Sequence, residues 1–384
     1  MTPPPLAVYV HVPWCLQRCP YCDFATVAIS PRDIPHRAYG EAVRTELRLR
    51  AGEFRGHAVA TVFFGGGTPS LWDPAEIASV IADVRDAFGP PREVTVECNP
   101  TSLDASRAAA LAEAGVTRVS IGVQSLADAD LRFLGRLHDA DGARAAVRAA
   151  TAHGGLAVSA DLMFGTPTQD RARLCEHVDE LVSLGVGHVS AYSLTIEPAT
   201  RFGELARQGR LPRLPDDAVA DVYLSIEHRL RDHGFEHYEV SNYALPGAAS
   251  EHNAAYWRGE AYLGLGSGAV GCAPARDGHA VRYRNLADTA EYIAQLATHQ
   301  LPPHETEELG SQTLVREGLM LGLRTTAGVD LPALERRARV DPREGRERAI
   351  ARQIALGNVE DDGPRMRIPR ERWLLADEIV TQLF

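Results

Sequence analysis

The sequence predicts an α/β fold: a partial (β/α)6 barrel followed by a helical, winged-helix-like end domain. Three observations carry this. Short β-branched runs alternate six times with helical patterns over roughly the first 235 residues, which implies right-handed crossovers and an all-parallel sheet. The alternation stops short of the eight units of a closed barrel. From Ala287 onward helical patterns dominate, broken only by a short strand pair near the end.

Taken in order, the strands fall at 6–12, 60–64, 93–98, 118–123, 156–163 and 188–196, with helices at 37–50, 74–88, 105–114, 142–153 and 172–184 between them. Asp73 before Pro74 reads as an N-cap with a first-turn proline, and Glu76 at the third helical position as its reciprocal partner. The pattern breaks at 197–215, rich in Gly, Pro and Arg, which reads as a crossing segment. A helix at 217–233 follows, then a glycine- and aromatic-rich stretch at 237–284 with hairpin character. The end domain reads as helices at 288–295, 305–321, 331–338 and 347–356, a strand pair at 359–361 and 366–368, and a last helix at 370–383. The expected division is a core barrel at 1–235, a connecting region at 236–300 and the end domain at 301–384.

The chain has 384 residues, with a formal net charge of −11 at pH 7 and no lysine, so all 40 basic residues are arginine. An acidic chain lacks the clustered positive charge of a nucleic-acid groove, which argues against a DNA-binding role for the winged-helix-like end. Six cysteines in a chain this long do not make a disulfide framework, and free thiols fit a reduced cytoplasmic compartment. The N-terminal stretch has neither a basic nor an apolar signal region, and no run approaches the roughly 20 apolar residues that span a bilayer.

Chemistry concentrates in Cys15-Leu-Gln-Arg-Cys19-Pro-Tyr-Cys22, directly after the first strand. Iron–sulfur clusters are normally closed by four cysteines, so three thiolates on a four-iron cubane leave one iron open to a ligand. A zinc site is the alternative; it would need a fourth donor such as His11. Tyr9 and His11 share a face of the first strand. The second strand ends in Gly65-Gly66-Gly67-Thr68-Pro69, where missing Cβ atoms let the backbone approach a ligand. Glu97, Gln124, Arg136 and Asp161 sit at or near later strand ends, the rim where parallel barrels keep their sites. There Glu97 and Asp161 would reach a ribose hydroxyl or an amino group, and Arg136 a carboxylate. Cys98, Cys175 and Cys272 read as core or incidental thiols.

Together these residues resemble the radical S-adenosylmethionine superfamily. Within it the chain looks most like the oxygen-independent coproporphyrinogen III oxidase branch, through Tyr9-Val-His11-Val-Pro13-Trp14-Cys15, Val119-Ser-Ile-Gly-Val-Gln124-Ser125, Asp161-Leu-Met-Phe-Gly-Thr-Pro167 and Tyr238-Glu-Val-Ser-Asn-Tyr243. The resemblance implies a [4Fe-4S] cluster on Cys15, Cys19 and Cys22, whose open iron is chelated by S-adenosylmethionine and whose electron can cleave it to a 5′-deoxyadenosyl radical. It implies that Tyr9, Gly66, Thr68 and Glu97 contact that cofactor. Gln124, Arg136 and Asp161 match further nucleotide contacts, some of which serve a second S-adenosylmethionine in the oxidases.

Two departures separate the chain from the oxidases. Phe24 stands where they carry a fourth cysteine, and only fourteen residues precede Cys15, where they carry a long N-terminal arm. Both match the HemW-type haem chaperones, a sister family that does not decarboxylate porphyrinogen. His252-Asn253-Ala-Ala-Tyr256-Trp257 is an instance of that family's His-Asn-x-x-Tyr motif, with the histidine as haem ligand. Haem needs an axial donor and an apolar slot; Tyr256, Trp257 and Tyr262 offer flat walls. The resemblance therefore implies haem delivery to acceptor proteins, respiratory enzymes at the membrane among them, and leaves a homodimer open. A radical oxidase acting on coproporphyrinogen III or a related porphyrin is the alternative.

Overall fold

The structure, a computed structural model, describes residues 4–384. Six strands form its parallel core: β1 (Pro5–Val12), β2 (Ala58–Gly66), β3 (Glu93–Cys98), β4 (Arg118–Gln124), β5 (Ala157–Phe164) and β6 (His188–Ser193). Each pairs in parallel with the next. The helices that return the chain are α1 (His36–Arg50), α2 (Pro74–Phe88), α3 (Ala105–Glu113), α4 (Ala140–Ala152) and α5 (Arg171–Ser183). Their buried faces meet the outward residues of the strands in one apolar core, from Leu6, Val8 and Val10 to Val189 and Leu230. The expected six-unit barrel is the architecture observed.

At α2 one expected detail fails. Asp73 does cap the helix, accepting from Ala75 N at 2.9 Å. Its own N–H, however, donates to His36 Nδ1 at 3.1 Å rather than to Glu76. Glu76 lies instead against Gly40 of α1, where a Cβ would fall 2.1 Å from its Oε2. Packing of α1 on α2 has taken over the reciprocal cap.

Beyond β6 the chain adds the antiparallel pair β7 (Glu236–Glu239) and β8 (Asn242–Ala244), preceded by α6 (Asp216–Asp232). The segment read as a crossing, 197–215, contains a short helix, Arg201–Arg207. The stretch at 237–284 has the expected hairpins and also a helix, α7 (Glu251–Trp257), capped by Ser250. Strand β9 (Ala261–Leu265) then pairs in parallel with β1, across some 250 residues of sequence. It leads into the antiparallel β10 (Val270–Cys272), β11 (Ala280–Asn285) and β12 (His304–Leu309). The result is a single twelve-stranded sheet in the order β12-β11-β10-β9-β1-β2-β3-β4-β5-β6-β8-β7.

Between β11 and β12 lies α8 (Thr289–Ala297), and the end domain continues with α9 (Ser311–Gly322), α10 (Leu331–Ala338) and α11 (Glu347–Ala355). The helix expected at 305–321 is thus a strand followed by a helix. The acidic run at its start pairs along β11, with Arg282 bonding Glu307 and Glu317. The expected strand pair is present as Glu360–Asp361 against Arg365–Arg367, joined by Val329–Asp330. The last expected helix opens as a 3-10 turn, Arg370–Leu375, before the α-helix Ala376–Thr381.

The end domain's apolar cluster takes Cys272, Ala280 and Leu309 from one edge of the sheet. Thr325 bridges Glu239 at the opposite edge, and Arg324 Nε donates to the buried Glu239 carboxylate at 2.9 Å. It therefore holds both edges of the open sheet. Among the described residues no helix is long and apolar enough to cross a membrane.

Candidate functional site

Inside the barrel the inward residues are not the apolar layers of a filled core. Thr95 and Glu97 on β3 point inward, as do Arg118 and Ser120 on β4, Ser159 and Asp161 on β5, and His188 and Ser190 on β6. They line a cavity of about 1180 Å³, larger than the usual ~300–1,000 Å³ ligand pocket. This period-two run of polar residues, on strands whose other face is Val, Ile and Leu, was the sequence signal left unread. It would have located Arg118, Ser159 and His188.

The structure brings the expected cluster, nucleotide and haem ligands to this cavity: Tyr9, Cys15, Cys19, Cys22, Gly66, Thr68, Glu97, Gln124, Arg136, Asp161 and His252 all line it. Of the aromatic walls, Tyr256 and Tyr262 line it too. Trp257 does not; it packs edge-on against Tyr238 at 5.7 Å. Cys98 is buried in the wall, its thiol pushed up to about 12 by burial. Cys175 lies on α5 and Cys272 in the end-domain core.

The three motif cysteines are free and half-buried on the loop after β1. Thr68 Oγ1 donates to Cys15 Sγ at 3.6 Å, and Arg136 Nη1 to Cys19 Sγ at 3.3 Å. Burial raises the Cys15 and Cys22 thiols. His11, the fourth donor a zinc site would call on, is occupied at both nitrogens. Its Nε2 hydrogen-bonds Ala25 O at 2.9 Å, which leaves Nδ1 to accept from Tyr9 OH at 3.1 Å. Among the described residues no three Cys, His, Asp or Glu side chains close round a single ion. Loop thiols bonded by Thr and Arg donors suit a cluster, in which separate irons take the thiolates, better than one tetrahedral zinc.

The glycine turn is held tightly beside them. Gly67 N donates to Val12 O and Thr68 N to Trp14 O, at 2.8 and 2.7 Å. Gly66 has φ +106°, and a Cβ there would lie 2.4 Å from the His11 ring. Its N–H donates to Glu97 Oε2 at 3.0 Å. Burial, reinforced by the nearby Asp161 charge, pushes the Glu97 carboxyl up to about 8. Burial pushes Asp161 up to about 6, against hydrogen bonds from Ser190 and Ser120. Gln124 ends β4 at φ +64° with a buried, unpartnered Oε1, and Arg136 carries an unpartnered Nε.

At the closed end, α7 plugs the barrel. Glu93 accepts from the N–H groups of Glu251 and His252 at 3.2 and 3.0 Å. His252 is 1% exposed, its ring stacked on Phe63 at 4.8 Å and edge-on to Tyr256 at 5.1 Å. Nδ1 hydrogen-bonds Thr61 Oγ1 at 2.8 Å, while Nε2 has no partner. Burial lowers its pKa to about 3, so the ring is neutral.

Comparison with known proteins fits this geometry. The Radical SAM superfamily profile matches residues 9–181, and that of the HemN C-terminal domain residues 309–375. "Heme chaperone HemW" of Mycobacterium tuberculosis (strain ATCC 25618 / H37Rv) is 39% identical over 99% of this chain and 95% of its own length. The chain belongs to the HemW family. The HemW relative from Escherichia coli (strain K12) is 38% identical over 73% of each chain. "Radical S-adenosyl methionine domain-containing protein 1, mitochondrial" of Mus musculus is 40% identical over 84% of this chain and 74% of its own. Among solved structures, coproporphyrinogen III oxidase (HemN) from Escherichia coli superimposes with a TM-score of 0.78. It covers 99% of this chain and 90% of its own at 20% identity, a likeness of fold. Membership of the radical SAM superfamily implies a [4Fe-4S] cluster and S-adenosylmethionine as cofactors.

Proposed function

We propose that the chain is a haem chaperone: it binds haem in the barrel cavity and passes it to acceptor proteins. Cys15, Cys19 and Cys22 would hold the cluster. Tyr9, Gly66, Thr68 and Glu97 would contact S-adenosylmethionine, with Gln124, Arg136 and Asp161 as further nucleotide contacts. When bound, the cluster supplies one-electron chemistry and an open iron for the cofactor's amino and carboxylate groups. The chain's own residues position and shield. Gly66 N–H fixes the Glu97 carboxyl, and Arg136 offers charge beside Cys19. The end domain keeps the sheet from opening.

The observation that carries the haem reading is His252 Nε2, a neutral imidazole nitrogen without a partner that lines the cavity, with Nδ1 fixed by Thr61. An axial donor whose other nitrogen is hydrogen-bonded is the arrangement haem and metal sites use. Phe24, in the place of the oxidases' fourth cysteine, is exposed and offers no thiol. The acceptors would be haem-requiring proteins, respiratory enzymes at the membrane among them, and the chain would work in the cytoplasm.

Titrating anaerobically reconstituted protein with haemin should shift the Soret band at one equivalent, and His252→Ala should weaken binding about tenfold. Unchanged binding in that variant removes His252 from the account. Conversion of coproporphyrinogen III, with release of 5′-deoxyadenosine, would favour the oxidase instead.

A further inference from the structure

The floor of the barrel carries a positive charge that no carboxylate reaches at salt-bridge distance, Asp161 acting on it only from further off. Arg118 opens β4, is 4% exposed, and lines the cavity. Nη1 donates to Ala248 O at 2.8 Å, but Nη2 is buried without a partner. Arg118 forms no ion pair among the described residues: the salt bridges of the fold lie elsewhere, and Glu93 on the adjacent strand commits both oxygens to the N–H groups of α7. Thr95, opposite Arg118 in the β3–β4 register, has an unpartnered buried Oγ1. Two polar groups at this end of the cavity, Arg118 Nη2 and Thr95 Oγ1, thus lack partners, apart from the His252 nitrogen assigned to the haem iron. Burying an ion without a partner is costly, so a guanidinium kept here needs an anion in its working state.

We infer that the closed end of the barrel is a carboxylate subsite, in which Arg118, with Thr95 beside it, receives the acid group of the ligand above it. A monoanion matches the charge, because Arg118 is the floor's one cation. His188 beside it has both nitrogens hydrogen-bonded, to Ser159 Oγ and Tyr238 OH, and burial keeps it neutral. A phosphate dianion would leave one charge uncompensated. The planar guanidinium fork also suits a carboxylate. This deepens the haem reading and rests on it for the source of the acid, since haem carries two propionates; a separate small acid is the other source of the same chemistry.

The test titrates wild type, Arg118→Gln and Arg118→Lys with haemin and with haemin dimethyl ester, whose propionates are masked. Wild type should prefer the free acid about tenfold. Arg118→Gln should bind both alike, and Arg118→Lys should keep part of the preference. In parallel, the thermal midpoints of wild type and Arg118→Gln are measured with millimolar propionate. If the porphyrins bind wild type alike but propionate stabilises wild type and not Arg118→Gln, the subsite stands and takes a separate acid. If wild type shows no ester discrimination and no propionate stabilisation, the subsite is overturned, even where haem binds. If haemin leaves the Soret band of wild type unchanged, the haem reading fails and the propionate arm alone decides the subsite. The ester comparison on wild type needs no variant to fold.

Discussion

Replacing Glu46 with alanine is expected to lower the stability of the fold by about 3–5 kcal/mol, the usual cost of breaking a buried ion pair from one side. Glu46 is wholly buried on α1 and accepts four hydrogen bonds. Oε1 takes Arg50 Nε and Asn285 Nδ2, both at 2.8 Å. Oε2 takes Tyr292 OH at 2.7 Å and Gly266 N at 3.0 Å. Removing it leaves Arg50, whose side chain is 3% exposed and lies 3.7 Å over the Tyr283 ring, with only the longer 3.7 Å pair to the part-exposed Glu53 and a hydrogen bond to Asn285 Oδ1. The loss reaches the site as well. Gly266, at φ +104°, lets the chain pass so close that a Cβ would fall 2.5 Å from His11 O. Tyr39 OH donates to that same carbonyl. His11 in turn holds Ala25, at the far side of the cysteine loop. Denaturant unfolding of wild type, Glu46→Ala and the double variant Glu46→Leu/Arg50→Met checks this. The double variant should recover only the part of the loss due to the uncompensated charge, because it still leaves Tyr292 OH and Gly266 N without their acceptor. A loss below about 1 kcal/mol in Glu46→Ala, the level of an exposed pair such as Arg37–Glu41, would defeat the argument.

That network also marks where the sequence could be read and where it could not. The six parallel strands were legible because each is a short β-branched run, buried on its outer face, with a helix after it. The cysteine loop and glycine turn were legible because their residue types have few other uses at that spacing. Strand β9 was not, because it becomes a strand by pairing with β1, a partner chosen by the fold and not by nearby residues. Strand β12 was misread because His-Glu-Thr-Glu-Glu has little β-propensity; its ladder to β11 and the Arg282 pairs outweigh local preference. Helix α7 hid in an aromatic stretch because seven residues carry too little periodicity, although Ser250 three residues before Asn253 was a usable cap signal. Arg118, Thr95 and His188 went unread because polar residues within a strand suggest a solvated face. In a barrel the solvated face is the inside.

The polar interior makes stability depend on pH. Burial holds the Glu97 proton up to about 8, whereas in the unfolded chain it titrates near ~4.3. Between those values the unfolded chain binds fewer protons than the folded one, so stability falls as pH rises. It is fully present below the unfolded pKa and lost through pH 8. Fully dehydrated, such a shift corresponds to on the order of 5 kcal/mol. Glu97 lines a cavity that water can enter, so about 2 kcal/mol is expected between pH 5 and pH 8, with Asp161, pushed up to about 6, adding to the lower half of the window. Denaturant midpoints measured with no nucleotide present should therefore decline over this range, and Glu97→Gln should flatten the decline. S-adenosylmethionine, which carries a sulfonium and an amino group, should flatten it in wild type by supplying the charge that lets Glu97 ionise. Its binding should then release a proton below pH 8 and strengthen as pH rises. A midpoint that climbs from pH 5 to pH 8, or a slope that Glu97→Gln leaves untouched, would show that this carboxyl is already ionised without added nucleotide.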